Sequence, residues 1–186
     1  ALGALGKAID KYKAGLIDVI VTAPINKHTI QWEEFSFPGH TEYIEEKLGD
    51  GGKALMILMK DDLRVALVTG HIPVREIAST ITKELIQEKL LVFNRALKQD
   101  FGIGAPRIAV LSLNPHAGDE GLLGTEEQEV IIPAIKELAG KGILCYGPYP
   151  ADGFMGSGNF THFDGILAMY HDQGLAPFKS LAMDEG

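Results

Sequence analysis

The spacing of apolar residues divides the chain into predicted helices and predicted buried strands. Apolar positions at helical spacing predict helices over residues 2–14, 40–48, 81–101 and 126–139. Short continuous apolar runs predict strands over residues 17–22, 54–59, 63–69, 108–113, 143–146 and 166–169. Because most helices and strands alternate, with one local antiparallel pair around residues 60–62, the pattern predicts an α/β protein with a mixed sheet.

Polar, Gly and Pro residues predict where these elements begin and end. The three later helices have predicted N-caps, which are Thr41, the pair Ser79-Thr80, and Thr125 in chain order. Residues 148–159 are predicted to form a loop. Residues 170–179 are also predicted to be irregular, because Gly174 and Pro177 both disfavour a regular helix.

Composition narrows the classes of function. A net charge of -8 argues against binding to a nucleic-acid backbone, although a local basic cluster can still bind a small anion. The single cysteine, Cys145, excludes an internal disulfide and fits a reducing compartment. No apolar run reaches the roughly 18 residues that span a bilayer, and residues 1–14 do not resemble a secretion signal. We therefore expect a cytoplasmic protein without a nucleic-acid or membrane partner.

The most informative polar residues are three of the six histidines. His71, His116 and His171 each lie just beyond the carboxyl end of a predicted strand. Because such ends gather at one edge of a parallel or mixed sheet, we expect the three imidazoles to meet there around a divalent ion. Three protein ligands leave one coordination position open, which is typical of a catalytic metal site. The alternative is that the histidines are simply solvated. The sequence contains no HxxxH or HExxH pair that would exclude this alternative.

Several carboxylates are predicted to lie near the same edge of the sheet. Asp172 adjoins a candidate ligand and Asp152 lies in a Gly-rich segment, so each is a candidate to orient an imidazole or to act as a general base. The sequence does not choose between them. Asp119 and Glu120 are interpreted as solvated loop carboxylates.

Candidate anion-binding residues complete the predicted site. His40 and Thr41, at a helix start, combine an imidazole, a hydroxyl and free backbone N–H groups, although a simple capping threonine explains them equally well. Lys27 and Lys179 are cations at the predicted sheet edge, and a solvated surface lysine is the alternative for both. No dinucleotide-binding or Walker motif is present in a suitable context. These residues alone predict an α/β enzyme with a metal site and a phosphate-like substrate.

Five segments, in order and with the spacing between them, resemble the 4-hydroxythreonine-4-phosphate dehydrogenase family of vitamin B6 biosynthesis. They are Ala23-Pro24-Ile25-Asn26-Lys27, Phe37-Pro38-Gly39-His40-Thr41-Glu42, Gly70-His71-Ile72-Pro73, Leu113-Asn114-Pro115-His116-Ala117-Gly118 and Tyr170-His171-Asp172-Gln173-Gly174 through Lys179. The resemblance extends over nearly the whole chain. Any one segment is a weak signal, whereas the five together are specific.

The resemblance implies a reaction and its cofactors. Family members oxidise 4-phosphohydroxy-L-threonine with NAD or NADP to 2-amino-3-oxo-4-phosphobutanoate, which decarboxylates to 3-amino-2-oxopropyl phosphate. A divalent metal held by three histidines maps onto His71, His116 and His171. Zinc is favoured because imidazole suits it, while magnesium, manganese and cobalt stay open. Substrate-binding residues map onto His40, Thr41 and Lys179, and no cofactor-binding residue is assigned.

The resemblance also implies an architecture. The fold is expected to be a three-layer mixed sheet, similar to isocitrate and isopropylmalate dehydrogenases and incomplete at both ends. Residues 1–186 are then the central part of a two-domain dehydrogenase, mostly the dimer-forming, metal-site domain, with no internal boundary assigned. A homodimer with its active site at the subunit interface is expected, with metal ligands from both chains. Residues 1–186 alone are accordingly expected not to turn over substrate.

Other functions stay open on the sequence alone. A paralogous dehydrogenase of 4-phospho-D-threonate or 4-phosphoerythronate would carry the same catalytic residues. A metal-dependent hydrolase or lyase would use the three histidines without nicotinamide. A non-catalytic binding fragment would hold no metal at all.

Overall fold

The computed structural model describes residues 2–23, 40–49 and 54–182, without the side chains of Leu2 and Glu42. The chain separates into two compact units, residues 1–54 and residues 55–186. Several predictions lie outside the described residues: the segment 24–28 with Lys27, the aromatic loop at 33–39 and the turn at 50–52. The prediction that the chain is the central part of a two-domain enzyme stays a prediction.

The unit formed by residues 1–54 contains two described helices. Helix α1 is Leu2–Lys13 and helix α2 is His40–Leu48, and the two contact each other. Both were predicted from apolar spacing, and Ile9 on α1 is buried. Thr41 lies inside α2, so its predicted role as the N-cap is wrong.

The strand predicted at residues 17–22 is wrong. Residues 17–23 form no strand, and Val19 and Val21 are 70% and 90% exposed. A strand is stabilised by pairing its backbone N–H and C=O groups with a neighbour. No described strand pairs with these residues, so their apolar sequence alone does not produce one.

The unit formed by residues 55–186 is built on a five-stranded sheet in the order β1-β2-β5-β3-β4. The strands are β1 Ile57–Lys60, β2 Leu63–Leu67, β3 Ile108–Leu111, β4 Cys145–Tyr149 and β5 Gly165–Ala168. Strands β1 and β2 are antiparallel, and the other neighbouring pairs are parallel. The predicted mixed sheet is therefore confirmed, including its local antiparallel pair.

Five helices accompany this sheet between residues 55 and 182. They are α3 Ile77–Thr80, α4 Lys83–Gln99, α5 Ile132–Gly140, α6 Ala151–Gly156 and α7 His171–Ala182. A π-helical turn, Glu127–Ile131, leads directly into α5. Short 3-10 turns occupy Val74–Glu76 and Asn159–His162, and Pro115–Gly121 forms a turn whose inner residues have positive φ. None of the helices in the described segments is long and apolar enough to cross a membrane.

Side chains that alternate along the strands form a core on each face of the sheet. Ala66, Val110 and Leu167 belong to the core that contains Leu90 and Phe93 of α4. Their neighbours along the strands, such as Leu67, Leu111 and Ala168, pack on the opposite face with Phe154 of α6 and Phe178 of α7. Because successive side chains of a strand point to opposite faces, this alternation produces the predicted three layers.

Helix α7 corrects the prediction of an irregular loop at residues 170–179. His171–Ala182 is helical although it contains Gly174 and Pro177. A Cβ on Gly174 would lie 2.5 Å from Leu67 Cδ2 and 3.2 Å from Ala168 Cβ, so glycine lets the helix approach the sheet closely. Phe178 is also buried against this face. Tertiary packing outweighs the local preferences of Gly and Pro here.

Two other predicted boundaries are wrong. Helix α4 is capped by Thr82, whose side chain accepts from the backbone N–H of Leu85, while Ser79 and Thr80 lie in α3. Residues 151–156 form α6, so Asp152 lies in the first turn of a helix instead of a loop. By contrast, the predicted helix start after Thr125 is confirmed, because Glu126 is the first helical residue and the Thr125 carbonyl accepts from the Glu129 N–H at 2.9 Å.

Candidate active site at the carboxyl edge of the sheet

The candidate site lies beyond three adjacent parallel strands. Strand β5 is flanked by β2 and β3, and all three run in the same direction. His71, His171 and His116 follow β2, β5 and β3 in turn. The strand order therefore brings the segments of the three histidines to the same edge of the sheet, as predicted.

The register of β2 and β5 brings His71 and His171 together. The pairing continues past both strands, because Thr69 donates its backbone N–H and its hydroxyl to the Met169 carbonyl, at 3.1 and 2.8 Å. His71 and His171 each follow two residues later, and their ring centroids are 5.3 Å apart. Asp172 Oδ1 lies 2.7 Å from His171 Nδ1. This contact engages Nδ1 and leaves the opposite ring nitrogen, Nε2, for another partner.

Gln173 connects the ends of β5 and β3. Its Oε1 accepts from the backbone N–H of Met169 at 2.7 Å, and its Nε2 donates to the Ser112 carbonyl at 2.6 Å. Both ends of the amide are thus used by backbone groups. Gln173 fixes the distance between the two strand ends that lead to His171 and His116.

His116 lies in a turn with an unusual backbone. Five consecutive residues, 116–120, have positive φ, from 43° at Asp119 to 80° at Gly118. A left-handed conformation costs a non-glycine residue about 1 kcal/mol, and four of the five residues are not glycine. Interactions from elsewhere in the fold must therefore hold this turn.

The buried carboxylate of Glu127 supplies such interactions. Glu127 is only 1% exposed. Its Oε1 accepts from the backbone N–H groups of Leu113 and Asn114, at 2.8 and 2.7 Å, and its Oε2 accepts from Asn114 Nδ2 at 2.9 Å. A Cβ on Gly118 would lie 2.7 Å from Glu127 Oε2, so the turn also packs directly against the carboxylate.

A cleft of about 470 Å³ opens beside these segments. Both candidate catalytic carboxylates, Asp152 and Asp172, line it, as do Asn114, Tyr170 and Gln173. Asp152 comes from α6 and Asp172 from α7, on one face of the sheet, and both side chains are exposed. The cleft is large enough for a small substrate and offers it carboxylate and amide groups.

The predicted site residues are only partly assembled. The described parts of the chain contain no group of three or more His, Cys, Asp or Glu side chains arranged to hold a metal ion. His71 and His171 are neighbours, whereas His116 lies in its own exposed turn.

Lys179 is exposed near the end of α7 and does not line the cleft. His40 and Thr41 begin α2 in the unit formed by residues 1–54. All these roles stay predictions.

Two ionisable groups with shifted pKa values lie outside the cleft lining. Hydrogen bonds and ion pairs with Lys141, at 2.8 Å, and with Lys83, at 3.1 Å, lower the pKa of Glu137 from 4.5 to about 2. Burial raises the pKa of the Cys145 thiol, so this cysteine is a poor nucleophile. Neither residue lines the cleft.

Two polar residues of the site carried no predicted role. Glu127 has the sequence signature of an exposed acid in the first turn of a helix. Gln173 lies between two candidate residues, but no pattern shows that its amide bridges two strands. Their positions relative to Met169, Ser112 and Asn114 come from the tertiary structure, and sequence spacing gives no signal for them.

The fold and the cleft define a three-layer α/β protein with polar groups at the carboxyl edge of its sheet. The family model of the pyridoxal phosphate biosynthetic protein PdxA matches residues 1–186. The chain belongs to this family, as the five sequence segments predicted.

Individual relatives agree with this assignment. A 4-hydroxythreonine-4-phosphate dehydrogenase of Bacteroides thetaiotaomicron is 83% identical over 186 residues, which are 100% of this chain and 51% of that protein. A protein of the same name from Acidithiobacillus ferrooxidans is 44% identical over 184 residues, 99% of this chain and 55% of that protein. The chain therefore spans about half the length of the curated relatives that it matches.

Solved structures support the fold. The crystal structure of 4-hydroxythreonine-4-phosphate dehydrogenase from Klebsiella pneumoniae superimposes with a TM-score of 0.84 at 34% identity. The match covers 94% of this chain and 53% of that chain. The expected family fold is thus confirmed for 94% of this chain.

Proposed function

We propose that the chain belongs to an NAD(P)-dependent dehydrogenase that oxidises 4-phosphohydroxy-L-threonine to 2-amino-3-oxo-4-phosphobutanoate. Spontaneous or assisted decarboxylation of this product gives 3-amino-2-oxopropyl phosphate, an intermediate of pyridoxal phosphate biosynthesis. The observation that carries the proposal is the 83% identity to a protein of that name over the whole chain. The cleft with two carboxylates beside a pair of histidines supports it.

The donor chemistry fits a divalent metal. His71 and His171 present neighbouring imidazoles, and Asp172 orients His171 through Nδ1, as carboxylates commonly orient metal-binding histidines. His116 is proposed as the third ligand, within a homodimer whose site takes ligands from both subunits. A bound divalent ion supplies positive charge that lowers the pKa of the substrate hydroxyl and stabilises negative charge during decarboxylation. Zinc is proposed because imidazole suits it.

The two cleft carboxylates are proposed to have different roles. Asp172 already engages His171 Nδ1 at 2.7 Å, so its role is to position that imidazole. Asp152 lines the same cleft and is proposed as the base whose carboxylate accepts the proton of the substrate hydroxyl. Nicotinamide supplies the hydride acceptor. His40, Thr41 and Lys179 are proposed to bind the anionic groups of the substrate, with an imidazole, a hydroxyl and an ammonium group.

Two substitutions in the complete protein test this division. Asp152→Asn is expected to lower kcat by about 10² to 10⁴, with zinc affinity unchanged, because only proton transfer is lost. Asp172→Asn is expected to weaken zinc binding by about 10- to 100-fold, because His171 loses its orienting partner. Zinc affinity is measured by competition with a chelating dye and turnover by NADH formation. Equal losses of zinc affinity in both variants would contradict the division.

Substrate assays with the complete protein test the reaction itself. A higher kcat/KM for 4-phosphohydroxy-L-threonine than for 4-phospho-D-threonate or 4-phosphoerythronate is expected with NAD or NADP. The opposite preference would assign the paralogous activity. Failure to bind either nicotinamide would instead favour a metal-dependent hydrolase or lyase.

A further inference from the structure

We propose that Glu127 is the positioning residue of the His116 turn, which holds His116 ready for the metal without touching metal or substrate. The inference rests on the proposed function only where it concerns the metal. Its geometric part, that Glu127 fixes residues 113–118, stands on contacts within this chain.

The first observation is that one carboxylate uses both oxygens on a single short segment. Leu113 and Asn114 donate their backbone N–H groups to Oε1, and the Asn114 side chain donates to Oε2. These residues follow β3 after one intervening residue, Ser112, and directly precede Pro115 and His116. Glu127 therefore determines the direction in which the chain leaves the sheet.

The second observation is that the segment continues into the left-handed turn, which packs against the same carboxylate. The ideal Cβ position of Gly118 lies 2.7 Å from Glu127 Oε2 and 2.9 Å from the Gly124 carbonyl. The backbone of the turn also closes on itself, because Leu123 donates its N–H to the Gly118 carbonyl at 3.0 Å. Glu127 thus contacts the chain on both sides of His116.

The third observation is that the burial of Glu127 is not explained by an ion pair. The hydrogen bonds of its carboxylate in the described structure all come from uncharged N–H groups of Leu113 and Asn114. A buried carboxylate is costly unless such donors satisfy it. A side chain whose purpose was only to fill space would be apolar. The arrangement instead indicates that Glu127 is present to order the turn.

The geometric part is tested by hydrogen–deuterium exchange in the complete protein. Glu127→Ala is expected to raise exchange of the amides in residues 113–124 by about tenfold or more, because their anchor is lost. Glu127→Gln is expected to give a smaller rise, because Gln keeps one oxygen acceptor but turns an amide N–H₂ group towards Asn114 Nδ2. Glu129→Gln, an exposed acid in the same turn, is the matched control and should leave exchange unchanged. Wild-type exchange in Glu127→Ala and Glu127→Gln would overturn the proposal.

The functional part is tested with zinc alone, in competition with a chelating dye. Glu127→Gln is expected to weaken zinc binding by about tenfold, within the range seen when a residue that orients a ligand is lost. Saturating zinc should then restore kcat, which it would not do if the substitution had simply damaged the fold. Raised exchange with wild-type zinc affinity would overturn the link to His116. If His116→Ala itself binds zinc normally, the proposed metal site fails, and the exchange measurement alone then decides the role of Glu127.

Discussion

His171 and His116 follow neighbouring parallel strands, β5 and β3, but different interactions hold the two segments. His171 begins helix α7, whose Phe178 and Ala182 are buried against the sheet. His116 lies in a left-handed turn, and Leu113 and Asn114, just before it, hydrogen-bond to the buried Glu127. Apolar contacts are many and individually weak, whereas the polar anchor depends on a few bonds. Single substitutions should therefore affect the His116 segment more severely.

The largest expected effect is that of Gly118→Ala, on the His116 side. The added methyl group would require an alanine at a φ of 80° and would contact both Glu127 Oε2 and the backbone carbonyl of Gly124. We expect a loss of about 3 kcal/mol in the free energy of unfolding of the complete protein. Denaturant-induced unfolding measures this change.

A matched glycine separates the two causes of that loss. Gly102 has a φ of 70°, with nothing within 4 Å of an added Cβ. Gly102→Ala should therefore cost only about 1 kcal/mol, from the left-handed backbone alone. Equal losses for Gly102→Ala and Gly118→Ala would show that contact with Glu127 adds nothing to the stability of the turn.

The next effect concerns the connection between the two segments. Gln173→Ala removes the acceptor of the Met169 N–H and the donor to the Ser112 carbonyl. We expect a loss of about 2 kcal/mol, because two buried backbone groups lose a partner. Gln99→Ala, at an exposed position at the end of α4, is the control and should change stability by less than about 0.5 kcal/mol. A similarly small change for Gln173→Ala would mean that the strand ends do not need this bridge.

A smaller effect is expected on the His171 side. Gly174→Ala adds a methyl group against Leu67 and Val65, but the nearest atom, Leu67 Cδ2, is the end of a side chain that can shift. Alanine also favours a helix by about 1 kcal/mol, which offsets part of the crowding. We expect a net loss of about 1 kcal/mol or less in thermal or denaturant unfolding. A loss larger than that of Gly118→Ala would reverse the comparison between the two segments.

The smallest expected effect is the pH dependence of the stability that the exposed Glu137 contributes. Lys141 and Lys83 lower the pKa of the exposed Glu137 to about 2. Because the folded-state pKa lies below the ordinary value of 4.5, this stabilisation is full above about pH 4.5 and is lost as the pH falls towards 2. The stability difference between wild type and Glu137→Gln should therefore shrink between pH 5 and pH 3. A difference that stays constant over this range would exclude the ion pairs as its source.

The sequence predicted the parts of the fold that depend on local pattern. The strands that lead to His71, His116 and His171 are short apolar runs, and parallel strands place their carboxyl ends at one edge. The pattern could not give the strand order, in which β5 lies between β2 and β3, because pairing between distant segments leaves no periodic signal.

The errors share a physical cause, which is that tertiary contacts outweigh local preferences. Gly174 and Pro177 disfavour a helix in isolation, yet packing on the sheet stabilises α7. Glu127 has the signature of an exposed acid near a helix start, but the π-helical turn is placed so that its side chain is buried. Val19 and Val21 are apolar enough for a strand and lack a strand to pair with among the described residues.

The strand order also has a consequence for how the molecule folds. Strand β5 is the last of the five in the sequence, but it lies at the centre of the sheet. It pairs in parallel with β2 on one side and with β3 on the other. Residues about 100 positions apart must meet before the core is complete, and such distant pairings form slowly. Until then the apolar edges of β2 and β3 are exposed to other chains. Substitutions that weaken β5 should therefore lower the yield of soluble protein during synthesis more than they lower the stability of molecules that have already folded.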